Sequence, residues 1–165
     1  MAPDNLSQFV ILTVDDERLI QKLVREVLTS LGFTNIVVAN SGRKALEHTA
    51  TTKFDFIISD WRMDDMDGIE IVRGIRGDRH GLNYTTPVIM LTGNTEAYYV
   101  KTAISAGVNG YLLKPFSAEQ LVKRIRSVIE FPRDFVASKR YTGPDRRRAN
   151  HPMPDGTERR KARNK

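Results

Sequence analysis

The sequence predicts a three-layer, doubly wound α/β fold with five parallel strands and five helices. Five short apolar runs alternate along the chain with segments whose apolar residues recur at helical spacing. Apolar runs set between helices are typical of parallel strands that are buried on both faces. Because crossovers between parallel strands are right-handed, only a few doubly wound strand orders remain.

The elements follow one another in a regular order. The strands are expected over residues 10–14, 35–39, 54–59, 87–91 and 109–113. The first helix is indicated by seven apolar residues between Leu19 and Leu31 and ends at Gly32. The others are expected over 42–50 with Ser41 as cap, around 69–75, over 96–106 before Gly107, and from Ala118 to about 130.

The charge distribution divides the chain into a neutral domain and a basic end. Residues 131–165 carry 11 Lys or Arg and 4 Asp or Glu, so their net charge is 11 − 4 = +7. This exceeds the net charge of +6 of the whole chain. We expect an N-terminal extension over 1–8, one domain over 9–130 and a largely disordered basic tail over 131–165. The segment from Phe131 to Tyr141 has three aromatic residues, which allow it to lie against the domain. Disorder is expected beyond Gly143.

Reactive side chains stand at the ends of four predicted strands. Asp15 and Asp16 follow the first strand, Asp60 the third, Thr92 the fourth and Lys114 the fifth. The carboxyl ends of parallel strands share one edge of a sheet, where open α/β folds place their sites. Three carboxylates, a hydroxyl and an ammonium group at this edge indicate a phosphoryl-transfer site that holds Mg²⁺.

The chemistry assigns a role to each of these residues. Asp60 is the expected nucleophile, since it ends the central strand and precedes a loop. Asp15, Asp16 and Asp60 are the expected oxygen ligands of Mg²⁺. Lys114 offers a compact positive charge and Thr92 a hydroxyl donor to a phosphoryl group.

Four motifs in this order resemble the receiver domain of two-component response regulators. They are VDDE at 14–17, SDWRMDDMDG at 59–68, MLTG at 90–93 and LLKPF at 112–116, and the resemblance extends over residues 9–130. It implies a flavodoxin-like sheet with the strand order 2-1-3-4-5, and phosphorylation of Asp60 by a histidine kinase or a histidine phosphotransfer protein. It also implies that the Arg62 carbonyl is a metal ligand, that Thr92 and Tyr111 act as the switch, and that the Lys114–Pro115 bond is cis.

The sequence departs from this family at two positions. Asp64 stands where many receivers have proline, and Arg62 stands where shorter polar residues are common. We expect the Arg62 guanidinium either to cover the phosphoryl group or to pair with Asp64 or Asp65. Our hypothesis is that Arg62, together with Asn94, sets the lifetime of the acyl phosphate. Trp61 is expected to be a partly exposed loop aromatic.

The leading interpretation is a stand-alone response regulator, a phosphoprotein that is not an enzyme and that signals to an effector through about 95–130. A phosphorelay intermediate that passes phosphate to a histidine phosphotransfer protein is the alternative. A Mg²⁺-dependent phosphohydrolase is disfavoured, because Arg62 stands where such enzymes usually carry a second acid. Homodimerisation stays open.

The chain's composition limits its partners and its location. The basic tail fits a solvated segment better than an acidic-partner or membrane contact, and nucleic-acid binding is not favoured, since no recognition element accompanies it. There is no apolar run long enough for a transmembrane segment and no cysteine, so we expect a cytoplasmic protein.

Overall fold

A computed structural model describes residues 6–147 and has a five-stranded parallel sheet at its centre. The strands are β1 Val10–Val14, β2 Asn35–Ala39, β3 Phe56–Asp60, β4 Val88–Thr92 and β5 Gly110–Leu113. The strand order is β2-β1-β3-β4-β5, and every neighbouring pair is parallel. The predicted fold class and strand order are therefore confirmed.

Five helices cover the sheet on its two faces. They are α1 Arg18–Ser30, α2 Gly42–Thr51, α3 Gly68–Gly77, α4 Ala97–Ala106 and α5 Ala118–Glu130, and a single 3-10 turn at Leu6–Gln8 precedes β1. The apolar stripes of α1 and α5 form one core layer, and those of α2, α3 and α4 form the other. No helix within residues 6–147 has the length and hydropathy that crossing a membrane requires.

The third strand is shifted by a few residues from its predicted position. Phe54 is buried but precedes the strand, and its N–H donates to the side-chain oxygen of Asn83 (2.9 Å). At the other end Asp60 belongs to β3, because it pairs with Leu91 of β4. The strand therefore delivers the Asp60 carboxyl to the carboxyl edge of the sheet while its backbone is still held by the neighbouring strand.

The first part of the basic tail is folded. Phe135–Ala137 (β6) and Thr142–Pro144 (β7) form an antiparallel hairpin, and Arg146 contacts the carbonyl oxygen of Ile104, beyond Gly143, where disorder was expected to begin. The sequence allowed the segment up to Tyr141 to lie against the domain but did not predict a hairpin, because the ring, guanidinium and backbone contacts that hold it leave no apolar periodicity in a sequence. The remainder of the predicted tail, residues 148–165, lies outside the described residues, as do residues 1–5.

Candidate functional site

Three charged side chains from three different strands meet at the carboxyl edge of the sheet. The Nζ atom of Lys114 lies 2.9 Å from Oδ1 of Asp60 and 3.2 Å from Oδ2 of Asp15. Both carboxyl groups are buried, with residue exposures of 4% for Asp60 and 3% for Asp15. Parallel strands that end at one edge bring these residues together across 99 positions of sequence, as predicted.

Burial dominates the electrostatics of the two buried acids. It raises the pKa of Asp60 and of Asp15, although the hydrogen bonds and charge of Lys114 act in the opposite direction. Burial alone would lower the pKa of Lys114, but the hydrogen bonds and charges of the two acids outweigh it and the pKa is raised. The site therefore holds two buried acids for one half-buried base, an imbalance that favours an additional cation.

Asp16 completes a cluster of oxygen ligands. One carboxylate oxygen from each of Asp15, Asp16 and Asp60 lies within 4.8 Å of the others. Asp16 is exposed, and its Oδ2 accepts a hydrogen bond from the backbone N–H of Asp64 (3.2 Å). Carboxylate oxygens with an open, solvent-facing side fit Mg²⁺, which usually keeps several waters and takes only one or two protein carboxylates with a phosphate oxygen.

Thr92 joins the end of β4 to the loop that follows it. Its buried hydroxyl oxygen accepts a hydrogen bond from the backbone N–H of Asn94 (3.1 Å). Its carbonyl oxygen accepts another from the backbone N–H of Lys114 (2.7 Å). Thr92 thus lies between the β4–α4 loop and the lysine that contacts Asp60. The Lys114–Pro115 bond is cis, as the family resemblance implied.

The loop after Asp60 folds back on itself. The N–H of Gly68 donates to the carbonyl oxygen of Trp61 (2.7 Å), and a Cβ at position 68 would collide with the carbonyl oxygen of Asp60. Trp61 is buried at 5% exposure, so the prediction of a partly exposed aromatic was wrong. The ring N–H of Trp61 donates to the Asp67 carboxylate (3.2 Å), and the ring packs edge-on against Tyr99 of α4 (5.4 Å between ring centres). The side chain is buried because the path of the loop directs it into the core.

The same loop holds the amino end of a neighbouring helix. The Asp65 carboxylate accepts hydrogen bonds from the backbone N–H groups of Gly42 (2.9 Å) and Arg43 (3.0 Å) in the first turn of α2. Arg62 is exposed and forms no ion pair with any acid in residues 6–147, so of its two expected alternatives the pairing with Asp64 or Asp65 is not found. Asp65 instead binds backbone donors at the positive end of α2.

Tyr111 and α4 form the surface beside the site. Tyr111 on β5 is half-buried and packs against the core layer of α4, with the guanidinium of Arg124 5.9 Å from its ring centre. Tyr98 and Ile104 on α4 and Leu113 on β5 are exposed by 70%, 36% and 37%. The segment predicted to contact an effector therefore carries exposed apolar side chains.

Sequence reasoning missed several residues that shape the site. Glu17 lies 3.7 Å from the Lys114 ammonium, and its backbone N–H donates to Oδ1 of Asp15 (2.8 Å). Its position directly after the Asp15-Asp16 pair was the available signal. For Gly68 the signal was the Asp-Gly pair that precedes a helix, whereas nothing local in the sequence connects Asp65 with α2.

Comparison with known proteins identifies a family model and several relatives. The model of the response regulator receiver domain matches residues 11–126. The chemotaxis protein CheY of Pseudomonas aeruginosa is 38% identical over 120 residues, which cover 73% of this chain and 95% of that protein. CheY-3 of Vibrio cholerae is also 38% identical over 120 residues, covering 73% of this chain and 91% of its own length.

Solved structures agree with this assignment. The chemotaxis response regulator CheY4 of Vibrio cholerae has a TM-score of 0.67 at 34% identity and covers 73% of this chain and 98% of its own. The receiver domain of a sensor histidine kinase from Pseudomonas aeruginosa has a TM-score of 0.66 at 29% identity, covers 74% and 98%, and has a magnesium ion coordinated in its active-site cleft. Both leave about a quarter of this chain unmatched.

Proposed function

The chain belongs to the response regulator receiver family, a family of signalling proteins rather than enzymes, and from this premise we propose that Asp60 accepts a phosphoryl group from a histidine kinase or a histidine phosphotransfer protein. The observation that carries the proposal is the Lys114 ammonium 2.9 Å from Asp60, beside two further carboxylates, at the carboxyl edge of the sheet. Asp60 is the only one of the three acids that lies within a strand, so its backbone is held in place by pairing with the neighbouring strand.

In the proposed step, an Asp60 carboxylate oxygen attacks the phosphorus of a phosphohistidine. A P–O bond forms as the P–N bond breaks, and the histidine nitrogen takes up a proton from water. Lys114 offers its positive charge to the transferred group, and Thr92 its hydroxyl. Mg²⁺ bound by Asp15, Asp16, Asp60 and the carbonyl of Arg62 would neutralise negative charge on the phosphoryl oxygens.

A phosphoryl group on Asp60 alters the charge and the hydrogen bonding next to α4. Thr92 would turn toward the phosphoryl group and donate its hydroxyl hydrogen to it. Because the same hydroxyl oxygen accepts the N–H of Asn94, this turn would move the β4–α4 loop, and Tyr111 would change rotamer with it. The exposed Tyr98, Ile104 and Leu113 favour an effector that binds through about 95–130, or a homodimer through the same face, over the relay intermediate. A cytoplasmic location belongs to the same proposal.

Arg62 and Asn94 are proposed to set the lifetime of the acyl phosphate. Arg62 is exposed two residues after Asp60 and forms no ion pair in residues 6–147, so its guanidinium is available to cover the phosphoryl group from solvent. We expect Arg62→Asn to change the dephosphorylation rate severalfold, as followed by the loss of the adduct over time. An unchanged rate would remove Arg62 from the proposal.

Intact mass spectrometry after incubation with acetyl phosphate and Mg²⁺ tests the function directly. We expect one added phosphoryl group in the wild type and in Asp64→Asn, which changes an exposed acid of the neighbouring loop. Asp60→Asn, or chelation of Mg²⁺, should abolish the adduct. Because rapid hydrolysis can hide an adduct, beryllofluoride binding is measured in parallel. Absence of both signals in the wild type would refute the proposal.

A further inference from the structure

A strap formed by residues 135–147 packs against the opposite edge of the sheet from Asp60. It consists of the β6–β7 hairpin and the residues up to Arg147, and it contacts the ends of α3 and α4 that lead into β4 and β5. The backbone N–H of Ser138 donates to the carbonyl oxygen of Tyr141 (2.8 Å), and that of Asp145 to the carbonyl oxygen of Asp134 (2.6 Å). These bonds close the strap at both ends.

Arg76, near the end of α3, lies under the strap. Its guanidinium donates to the carbonyl oxygens of Tyr84 (2.7 Å), Thr86 (2.8 Å) and Gly107 (3.2 Å). The ring of Phe135 covers it, with 5.3 Å between the guanidinium carbon and the ring centre. Arg76 is only 5% exposed, and it binds the loop before β4, the carboxyl end of α4 and the strap at the same time.

Two glycines let the strap backbone approach α4 closely. Gly107 ends α4 in the left-handed conformation (φ +95°), and a Cβ there would lie 2.5 Å from the carbonyl oxygen of Thr142. A Cβ at Gly143 would lie 2.6 Å from the Cα of Gly107. Such distances are too short for any residue with a side chain, so this contact is made backbone to backbone.

Arg146 adds a charged bond to the same helix end. Its guanidinium donates to the carbonyl oxygen of Ile104 in the last turn of α4 (2.7 Å) and stacks on the ring of Tyr141 at 3.7 Å. A cation at the carboxyl end of a helix is stabilised by the helix dipole, and here it is a second donor to a carbonyl that also accepts the backbone N–H of Gly107 (3.2 Å). The hydroxyl of Tyr141 in turn donates to the carbonyl oxygen of Pro144 (2.8 Å).

The two ends of α4 are therefore held very differently. Its carboxyl end is bound by Arg76, Arg146 and the left-handed turn at Gly107. At its amino end Glu96 occupies the cap position and makes no side-chain capping hydrogen bond. That amino end follows the loop whose Asn94 is bonded to Thr92, beside the candidate site.

We propose that the strap is a conformational clamp that fixes the carboxyl end of α4 as a pivot, so that a phosphoryl group at Asp60 repositions only the amino end. This inference rests on the proposed function, because it needs a signal that reaches α4 through Thr92. With the pivot fixed, the bound phosphoryl group has less of the chain to order, and binding to a preordered state is tighter. Loosening the strap should therefore weaken the binding of a phosphoryl mimic.

The test uses the full chain with two strap variants and one control. Arg146→Ala removes the bond to Ile104, and Gly143→Ala places a Cβ against Gly107. Arg140→Ala is the control, because it removes an equal charge from an exposed turn residue of the same hairpin whose side chain makes no described contact. Affinity for beryllofluoride at saturating Mg²⁺ is measured by the fluorescence of Trp61, the single tryptophan.

Hydrogen exchange reports the clamp itself at the amides of Gly107 and Val108, which donate to the carbonyl oxygens of Ile104 and Ala103. We expect both strap variants to exchange these amides at least about five-fold faster than the wild type and Arg140→Ala do. We also expect them to bind beryllofluoride roughly three- to ten-fold more weakly.

The outcomes separate the two proposals. Unchanged exchange in both strap variants would overturn the clamp. Faster exchange with unchanged beryllofluoride affinity would overturn the pivot and leave the proposed function standing. A wild-type protein that binds no beryllofluoride would overturn the proposed function and the pivot together.

Discussion

Replacing Arg76 by methionine should destabilise the protein severely, although Arg76 is far from the candidate site. Methionine keeps much of the apolar stem and removes the guanidinium. The carbonyl oxygens of Tyr84, Thr86 and Gly107 then lose the donors that lie 2.7, 2.8 and 3.2 Å away. Burial lowers the pKa of Arg76 to about 10, so the group that is lost is a cation at neutral pH.

Two opposing effects determine the size of this loss. Hydrogen bonds to a charged group contribute about 1.5–3 kcal/mol each, so three of them set an upper range of roughly 4.5–9 kcal/mol. Removal of a buried charge recovers part of its desolvation cost, and water can reach some of the exposed carbonyls. We therefore expect the free energy of unfolding to fall by about 3–5 kcal/mol, a large fraction of a typical total of roughly 5–15 kcal/mol.

Urea denaturation measures this loss against two reference variants. With a slope of roughly 2 kcal/mol per molar urea, the midpoint of Arg76→Met should fall by about 1.5–2.5 M. Arg73→Met, on the exposed surface of the same helix, should shift it by less than about 0.3 M. Arg76→Lys should lie between them, since lysine keeps the charge but not the planar set of donors. A midpoint for Arg76→Met within about 0.5 M of the wild type would refute the argument.

Three further outcomes are expected. Gly68→Ala should lower both the urea midpoint and the yield of acyl phosphate, because its Cβ would meet the carbonyl of Asp60, whereas Gly77→Ala, with open space around its Cβ, should do neither. Asp65→Ala should cost about 1 kcal/mol at pH 7. Hydrogen bonds from the backbone of α2 lower the pKa of Asp65 in the folded protein below its ordinary value of 3.8. The stabilisation is therefore fully present above pH 3.8 and is lost as the pH falls through the lower pKa of the folded state. A stability difference between the wild type and Asp65→Ala that persists in acid would contradict this reasoning. Lys114→Met should tighten Mg²⁺ binding in calorimetry, since it removes a cation 2.9 Å from Asp60, and weaker binding would contradict this view of the site.

The site was predictable from sequence because it depends on topology more than on local detail. Once five parallel strands are recognised, the residues that follow them must share one edge, and Asp15, Asp60 and Lys114 meet there as expected. The same principle does not determine the path of a loop. Trp61 was predicted to be partly exposed, but its burial depends on the hydrogen bond from the N–H of Gly68 to the carbonyl oxygen of Trp61. The spacing of residues in the sequence does not predict that bond.

The sequence allowed the segment up to Tyr141 to lie against the domain, but the folded strap itself was not predicted, for a different physical reason. Apolar periodicity detects elements that bury aliphatic side chains, and between 135 and 147 the buried backbone positions are Gly143 and Pro144. The contacts that hold the strap are the close approach of Gly143 to Gly107 and the guanidinium of Arg146 on the ring of Tyr141. Beneath the strap, the guanidinium of Arg76 donates to the carbonyl oxygen of Gly107. Arg76 itself has the sequence signature of an ordinary exposed cation at a helix end. Only the structure shows that it is buried.

The charged groups at the two edges of the sheet differ in how completely hydrogen bonds and opposite charges compensate them. This difference indicates a structural role at one edge and a ligand-binding role at the other. At the amino edge the guanidinium of Arg76 is surrounded by carbonyl oxygens and covered by Phe135, so it has no further need of a ligand. At the carboxyl edge one ammonium faces two buried carboxylates, and an exposed third lies beside them. Because burial disfavours the excess negative charge there, a cation is the partner that would stabilise it. A phosphoryl group could then approach only with that cation in place, so we expect phosphorylation of Asp60 to depend on Mg²⁺.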